Sequence, residues 1–381
     1  MCLKLGVIQK MKKILIMDLR STTPAYTAYY AKSLADRGYC VDIAGIYKTA
    51  HVKDLLHLKP NYKKIINITG SGYRMSSIKM VNMIEYLINW LMVLMICKRY
   101  DCIHIQWLPL LKYSKVDLLF IRILKMRDIK IFYTAHNIFP HNNISKTVEK
   151  RYKQLYSMLD CIVVHSENTK DRLINDIKIE SKRIIIIPHG PMFHDLELEV
   201  SVEKDSKTVG IMGNLSPYKG IEDAIEAIHI LNKKNVYLDL ILAGRIENEY
   251  KNKLLLLISK YNLERQVICS FGFIENREFL GMLRGLKMSL FPYRRIEQSG
   301  AAITSLSVGT PVVGYRVGGL RELVVDGYNG KLVNSGDIES LASAILEIKN
   351  KSNIDLEQNC KESIKKFSWE HAAEIMDGCF S

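Results

Sequence analysis

A chain of 381 residues, 48% of them hydrophobic, is too long for one ordinary α/β core and too apolar to be disordered, so two folded domains are expected. The net charge of +14 points to a negatively charged partner: phosphorylated substrate, anionic lipid or nucleic acid. Eight cysteines without a Cys-x-x-Cys pair argue against a zinc site and read as reduced, buried thiols of a cytoplasmic protein.

Residues 1–10 carry too short an apolar stretch for a signal peptide, and Met11-Lys12-Lys13 reads as the start of the fold, with the first ten residues an extension. Lys13–Asp18 is an isoleucine-rich buried strand, Pro24–Arg37 a helix stopped by Gly38, and Cys40–Ala44 a second strand. This βαβ opening predicts a parallel sheet. Ile65–Ile68 follows as strand, Ser76–Lys98 as a long helix and Cys102–Gln106 as strand. Within that long helix the apolar run Tyr86–Cys97 falls short of the roughly 20 residues of a membrane span. Val116–Met126 reads as helix, Ile129–Thr134 as a strand ending at Ala135-His136-Asn137, Thr147–Leu159 as helix, Cys161–His165 as strand, and Ile184–Gly190 closes the series. Residues 191–207, acidic and irregular, read as a linker. The alternation then restarts, with strands at Thr208–Gly213, Leu238–Gly244, Val267–Phe271, Met288–Pro292, Pro311–Tyr315 and Gly330–Val333. A last helix covers Phe367–Met376, with Ser368 as its N-cap.

Chemistry-bearing residues fall just after strands, where ligands of open α/β sheets bind. Gly213-Asn214-Leu215-Ser216-Pro217-Tyr218-Lys219-Gly220 is a strand–turn–helix segment in which Gly213 permits close backbone approach and Lys219 can meet a phosphate; an ordinary turn with a solvated lysine fits the spacing too. Glu297 stands before Ser299-Gly300-Ala301, which open an apolar helix closed by Gly309-Thr310-Pro311. Backbone N–H groups at such a start suit a phosphate, and a carboxylate beside them suits sugar hydroxyls. Together these point to a sugar-nucleotide site. Arg294 and Arg295 could pair with Glu297 or with phosphate, a structural ion pair being the default, and His136 suits a base, a sugar partner or a structural cap. Lys112–Lys130, mixing Leu118, Phe120 and Leu124 with Arg122, Lys125 and Arg127, reads equally as a packed amphipathic helix or one lying on anionic lipid.

On these motifs the chain resembles a retaining GT-B glycosyltransferase of family 4, over essentially its whole length and most strongly from Val209 to Val333. The matches are Gly213-Asn214-Leu215 with Lys219-Gly220, then Glu297, Gly309-Thr310-Pro311-Val312-Val313 and Gly318-Gly319-Leu320-Arg321-Glu322. The resemblance implies two doubly wound, Rossmann-like α/β domains facing a central cleft: residues 11–190 for the acceptor, 208–365 for the nucleotide sugar, and 366–381 as a helix crossing back to the first domain. It implies Glu297, Lys219 and His136 as catalytic residues, with Gly213, Asn214, Lys219, Ser299, Gly300, Ala301 and Ser305 around the donor. Two positions depart from the family: Asn214 stands where Arg is common, and the second glutamate of the Glu-x7-Glu pattern falls on Ser305 or Thr304, neither acidic. The non-acidic form resembles a branch among bacterial exopolysaccharide and O-antigen enzymes.

The implied activity is retaining transfer from a nucleoside-diphosphate sugar to a glycan or polyprenyl-diphosphate-linked acceptor. No Asp-x-Asp pair follows a strand of the second domain, so neither metal nor other cofactor is expected. An anionic membrane surface is the expected further partner, with peripheral placement at the inner face of the plasma membrane, and nucleic acid is not expected. The alternatives are a sugar-nucleotide epimerase of the same fold, or an inactive, basic membrane- or nucleic-acid-binding protein.

Overall fold

The computed structural model describes residues 12–45, 54–63, 79–140, 145–197 and 203–380. The chain divides into two compact units, the first comprising Met1–Val164, Leu173–Ile187 and Ala372–Ser381, the second His165–Arg172 and Pro188–His371.

The first unit holds a parallel sheet of β1 (Lys13–Asp18), β2 (Cys40–Gly45), β3 (Tyr62–Lys63), β4 (Cys102–Ile105), β5 (Lys130–Thr134), β6 (Cys161–Val164) and β7 (Ile184–Ile186), in the order β3-β2-β1-β4-β5-β6-β7. Its strands are continuous apolar runs because helices cover both faces of such a sheet. Those helices are α1 (Pro24–Asp36), α2 (Lys79–Ile96), α3 (Val116–Met126) and α4 (Lys146–Met158). Leu15, Met17, Trp90, Ile103, Ile121, Ile131 and Tyr156 lie in one apolar core. The strand expected at Ile65–Ile68 and the start of the helix expected from Ser76 lie outside the described residues.

A further helix, α5 (Glu167–Asn175), has no counterpart among the expected elements. Ser166 starts it, its hydroxyl accepting from the Thr169 amide at 3.2 Å. The first two turns of α5, to Arg172, belong to the second unit.

The second unit repeats the topology with β8 (Thr208–Met212), β9 (Asp239–Gly244), β10 (Val267–Phe271), β11 (Met288–Phe291), β12 (Val312–Tyr315) and β13 (Gly330–Val333), ordered β10-β9-β8-β11-β12-β13. Around it run α6 (Ile221–Lys233), α7 (Asn248–Lys260), α8 (Asn276–Gly285), α9 (Gly300–Ser307), α10 (Leu320–Leu323), α11 (Ile338–Lys349) and α12 (Asn353–Ser363). The last helix, α13 (Trp369–Phe380), starts in the second unit and continues in the first from Ala372. At its start the Trp369 indole fills the space over Gly190 and donates to the Pro191 carbonyl at 2.8 Å. Toward its end Asp377 pairs with Arg37 of the first unit.

The stretch Met80–Arg99 is by length and composition apolar enough to cross a membrane, which corrects the shorter reading of Tyr86–Cys97. The inner face of α2 nevertheless sits in the core through Tyr86, Trp90, Val93 and Leu94. The seven described cysteines are unpaired; Cys269 is exposed, against the expectation of buried thiols throughout.

Candidate functional site

In the second unit the chain turns outward on either side of β8, with β9 to one side and β11 to the other. Ligands of such sheets sit at this crevice. Three segments meet there. After β8, Gly213 takes a positive φ of 95° and Gly220 one of 64°. A Cβ on Gly220 would stand 2.0 Å from the Pro292 carbonyl oxygen, so only glycine lets this turn press against the end of β11. After β12, Gly318-Gly319 wraps the chain just before Ser299: the Gly319 amide donates to the Glu297 carbonyl at 2.9 Å, and a Cβ on Gly318 would lie 1.5 Å from the Ile296 oxygen.

Lys219 lies inside this junction, 5% exposed. Its ammonium donates to the Met212 carbonyl at 2.9 Å and stands 5.3 Å over the Tyr293 ring. No carboxylate pairs with it among the described residues, and burial lowers its pKa to about 7. It is not the solvated lysine of an ordinary turn. Asn214, by contrast, is exposed, and its amide donates to Ser216 at 3.2 Å.

Glu297 is held from α5: one carboxylate oxygen pairs with Arg172, the other accepts from the Thr169 hydroxyl at 3.1 Å. The sequence signals for these partners, an N-capping Ser166 with Glu167 behind it, mark a helix but not a site. Arg294 serves elsewhere, bonding Asp223 at 3.1 Å while Tyr315 donates to the other oxygen of that carboxylate at 2.9 Å. For Arg294 the pairing is thus a structural ion pair, and its partner is Asp223, not Glu297.

Ser299 is the N-cap of α9, its hydroxyl accepting from the Ala302 amide at 3.2 Å. Its own amide donates to the Gln298 side chain at 3.1 Å, which removes it from the amides expected to face a ligand. The amides of Gly300 and Ala301 have no protein acceptor among the described residues. Gly300 is tightly flanked: a Cβ would come 2.7 Å from Met192 Cε and 3.2 Å from the His189 ring, so both side chains would have to shift. That imidazole is buried and its pKa falls to about 4, so it packs as a neutral ring.

Ser305, expected around the donor, is instead fully buried. Its hydroxyl donates to Thr310 O at 2.9 Å and lies 2.8 Å from the Ser289 hydroxyl, which can donate to it, a tie between α9, β11 and the following turn. Thr304 is equally buried, its hydroxyl accepting from the Met192 amide at 3.2 Å.

The first unit has a parallel arrangement beyond β1, β4 and β5. The His136 ring stacks on Trp107 at 5.0 Å and 4°, meets Tyr26 edge-on at 4.7 Å, and places Nε2 3.1 Å from Gln106 Oε1. Trp107 donates to the Thr23 hydroxyl at 3.0 Å. Gln106 is fully buried and its amide nitrogen has no hydrogen-bond partner among the described residues, a cost of about 1–3 kcal/mol that packing alone does not demand. Sequence reasoning missed Gln106 and Trp107 as site residues, taking the first only as a strand end. In the turn after β1, Arg20 pairs with Glu85 of α2 at 3.0 Å. Among the described residues no group of three His, Cys, Asp or Glu is placed to hold a metal ion.

Comparison with known proteins adds a family. Residues 24–191 match the model described as Glycosyltransferase Family 4, and residues 196–367 that described as Glycosyl transferases group 1. The chain is similar to an uncharacterized glycosyltransferase, MJ1178, of Methanocaldococcus jannaschii, 28% identical over 60% of this chain and 61% of that one. It is also similar to the capsular polysaccharide biosynthesis glycosyltransferase CapM of Staphylococcus aureus, 22% identical over 51% of this chain and 53% of that one. The matches thus span between 53% and 61% of these two relatives. Among solved structures, Anabaena Alr3699/HepE in complex with UDP and glucose superposes with a TM-score of 0.73 at 16% identity, covering 97% of this chain and 99% of that one. At that identity the likeness speaks for the fold.

Proposed function

We propose that the chain, whose residues 24–191 match the Glycosyltransferase Family 4 model and 196–367 the Glycosyl transferases group 1 model, is a glycosyltransferase that moves a sugar from a nucleoside diphosphate to a hydroxyl of a glycan acceptor with retention. The observation that carries this reading is Lys219: a buried amine, paired with no carboxylate among the described residues, at the crevice where the Gly300 and Ala301 amides open a helix. A desolvated ammonium without an anion is costly, and a diphosphate would supply the missing charge. The UDP held by the Anabaena structure is consistent with such a donor.

In the proposed reaction the acceptor oxygen attacks the anomeric carbon as the bond to the diphosphate breaks, on the same face. The leaving diphosphate oxygen takes the acceptor's proton. Lys219 and the helix-start amides stabilise the charge that builds on the leaving group, and Glu297, fixed by Arg172 and Thr169, orients the sugar. His136 is proposed to face the acceptor. No metal enters this scheme. We take the acceptor to be lipid-linked, in cell-surface polysaccharide synthesis at the cytoplasmic face of an anionic membrane, a reading supported by the charge of +14 and the similarity to CapM.

Loss of a preorganised donor of this kind costs about 100- to 1000-fold in rate. Lys219→Ala should lose that much turnover while its melting temperature holds. A thermal-shift screen against UDP, GDP and ADP should show stabilisation by one nucleotide; indifference to all three, or near-normal turnover of the variant, would remove the assignment.

A further inference from the structure

Helix α2 is apolar on its exposed face as well as on its buried one. A helix on an aqueous surface turns its apolar stripe inward and its charges outward. Here the inner face carries Asn82, Glu85 and Asn89, all buried, Glu85 in its pair with Arg20. The outer face carries Met80 (63% exposed), Met83, Ile84, Leu91 and Met95 (74% exposed). Positions 80, 84, 91 and 95 are separated by four, seven and four residues, so they align in one stripe along the helix. Between Met80 and Met95 the sequence has a single charged residue, Glu85, and that one faces inward.

The position of α2 is fixed. Tyr86 and Trp90 donate to one oxygen of the buried Asp117 of α3 at 2.8 and 3.1 Å, and Arg127 reaches the Leu94 carbonyl. The outer stripe is therefore presented, not awaiting repacking. Cations stand beside it: Lys98 and Arg99 follow the helix end, and Lys115 and Arg122 lie on the exposed side of α3 next to Leu119 and Met126. None of these four has a carboxylate partner among the described residues. An apolar stripe edged by unpaired cations matches the two layers of an anionic bilayer surface, acyl boundary and phosphate, in chemistry and in order.

We propose that the outer face of α2 lies in an anionic lipid surface, with Met80, Met83, Ile84, Leu91 and Met95 entering the acyl boundary and Lys98, Arg99, Lys115 and Arg122 meeting lipid phosphates. The inference deepens the membrane contact proposed above by naming its face, and its test does not use activity. A consequence follows from Glu85: the helix proposed to meet lipid also holds Arg20, which follows β1 in the turn that leads to Thr23, the partner of Trp107.

The test is co-sedimentation of the full chain with vesicles of phosphatidylcholine alone and of phosphatidylcholine mixed with phosphatidylglycerol. The wild type should pellet with the mixed vesicles and far less with phosphatidylcholine alone. The double variant Leu91→Gln/Met95→Gln should reduce binding at least tenfold, and Lys98→Gln/Arg99→Gln should remove the preference for the anionic lipid. All four side chains are outside the core, so the melting temperature and nucleotide response of the variants should match wild type. Binding of Leu91→Gln/Met95→Gln equal to wild type, or no wild-type binding to either vesicle, overturns the proposal. So does a dimer in light scattering that Met95→Gln dissolves, since a second copy would then be the occupant. Vesicle binding without sugar transfer would leave this inference standing and remove the functional one.

Discussion

At the residue scale the charge state of Lys219 is the most consequential feature. Burial holds its pKa near about 7, far below 10.5, so the empty protein carries this site partly uncharged at neutral pH. A bound diphosphate favours the ammonium and raises that pKa, so binding takes up a proton wherever the free site has lost one. Nucleotide affinity should therefore fall as pH rises from 7 to 9, and calorimetry in buffers of different ionisation enthalpy should detect the proton uptake; in Lys219→Met both effects should vanish. The same sign governs stability: the unfolded lysine stays protonated above pH 7 where the folded one does not, so this residue makes folding more favourable as pH climbs toward 10.5. Gln106 acts by position. With its carbonyl on the His136 ring, Gln106→Met should lower acceptor-dependent turnover by about 10- to 100-fold, since displaced catalytic geometry costs rates of that order. Nucleotide affinity should stay unchanged, and a fall in both would assign Gln106 a merely structural part.

At the element scale, the turns rather than the helices set the site. The β8–α6 turn works because Gly220 has φ of 64° and abuts the Pro292 carbonyl. Gly220→Ala must strain the backbone and push the turn away from β11, at a cost of more than about 1 kcal/mol. Urea unfolding should show that loss, together with weaker nucleotide binding. The strands and most helices were legible in sequence because buried parallel strands are unbroken Ile/Val runs, and glycine ends the intervening periodic stretches. Helix α5 was not: it is short, polar and follows a strand with no turn signal. Its importance lies in contacts between Arg172 and a residue 125 positions away, which no local pattern encodes. Ser305 shows the reverse failure. Spacing put it at a ligand, whereas its hydroxyl was already committed to Ser289 and Thr310.

At the scale of the whole molecule, two sheets of one topology each place their chemistry where the chain changes direction, beside β1 and β4 in one and beside β8 and β11 in the other. That much followed from the repeated strand–helix alternation. The division of the chain did not. A linker at 191–207 and a terminal helix returning to the first domain leave His165–Arg172 with the first half, yet the contacts assign that segment to the second unit.

That assignment bears on how the protein can be taken apart. A fragment begun at the linker would keep Lys219, Gly300 and Glu297 but lose α5, leaving the Glu297 carboxylate without Arg172 and Thr169. Such a piece would hold the motif residues of the second domain and still present a bare negative charge next to the proposed diphosphate site. The unit of inheritance here is longer than the unit of recognition: to move the proposed nucleotide-binding unit into another protein, a graft has to include His165–Arg172 as well.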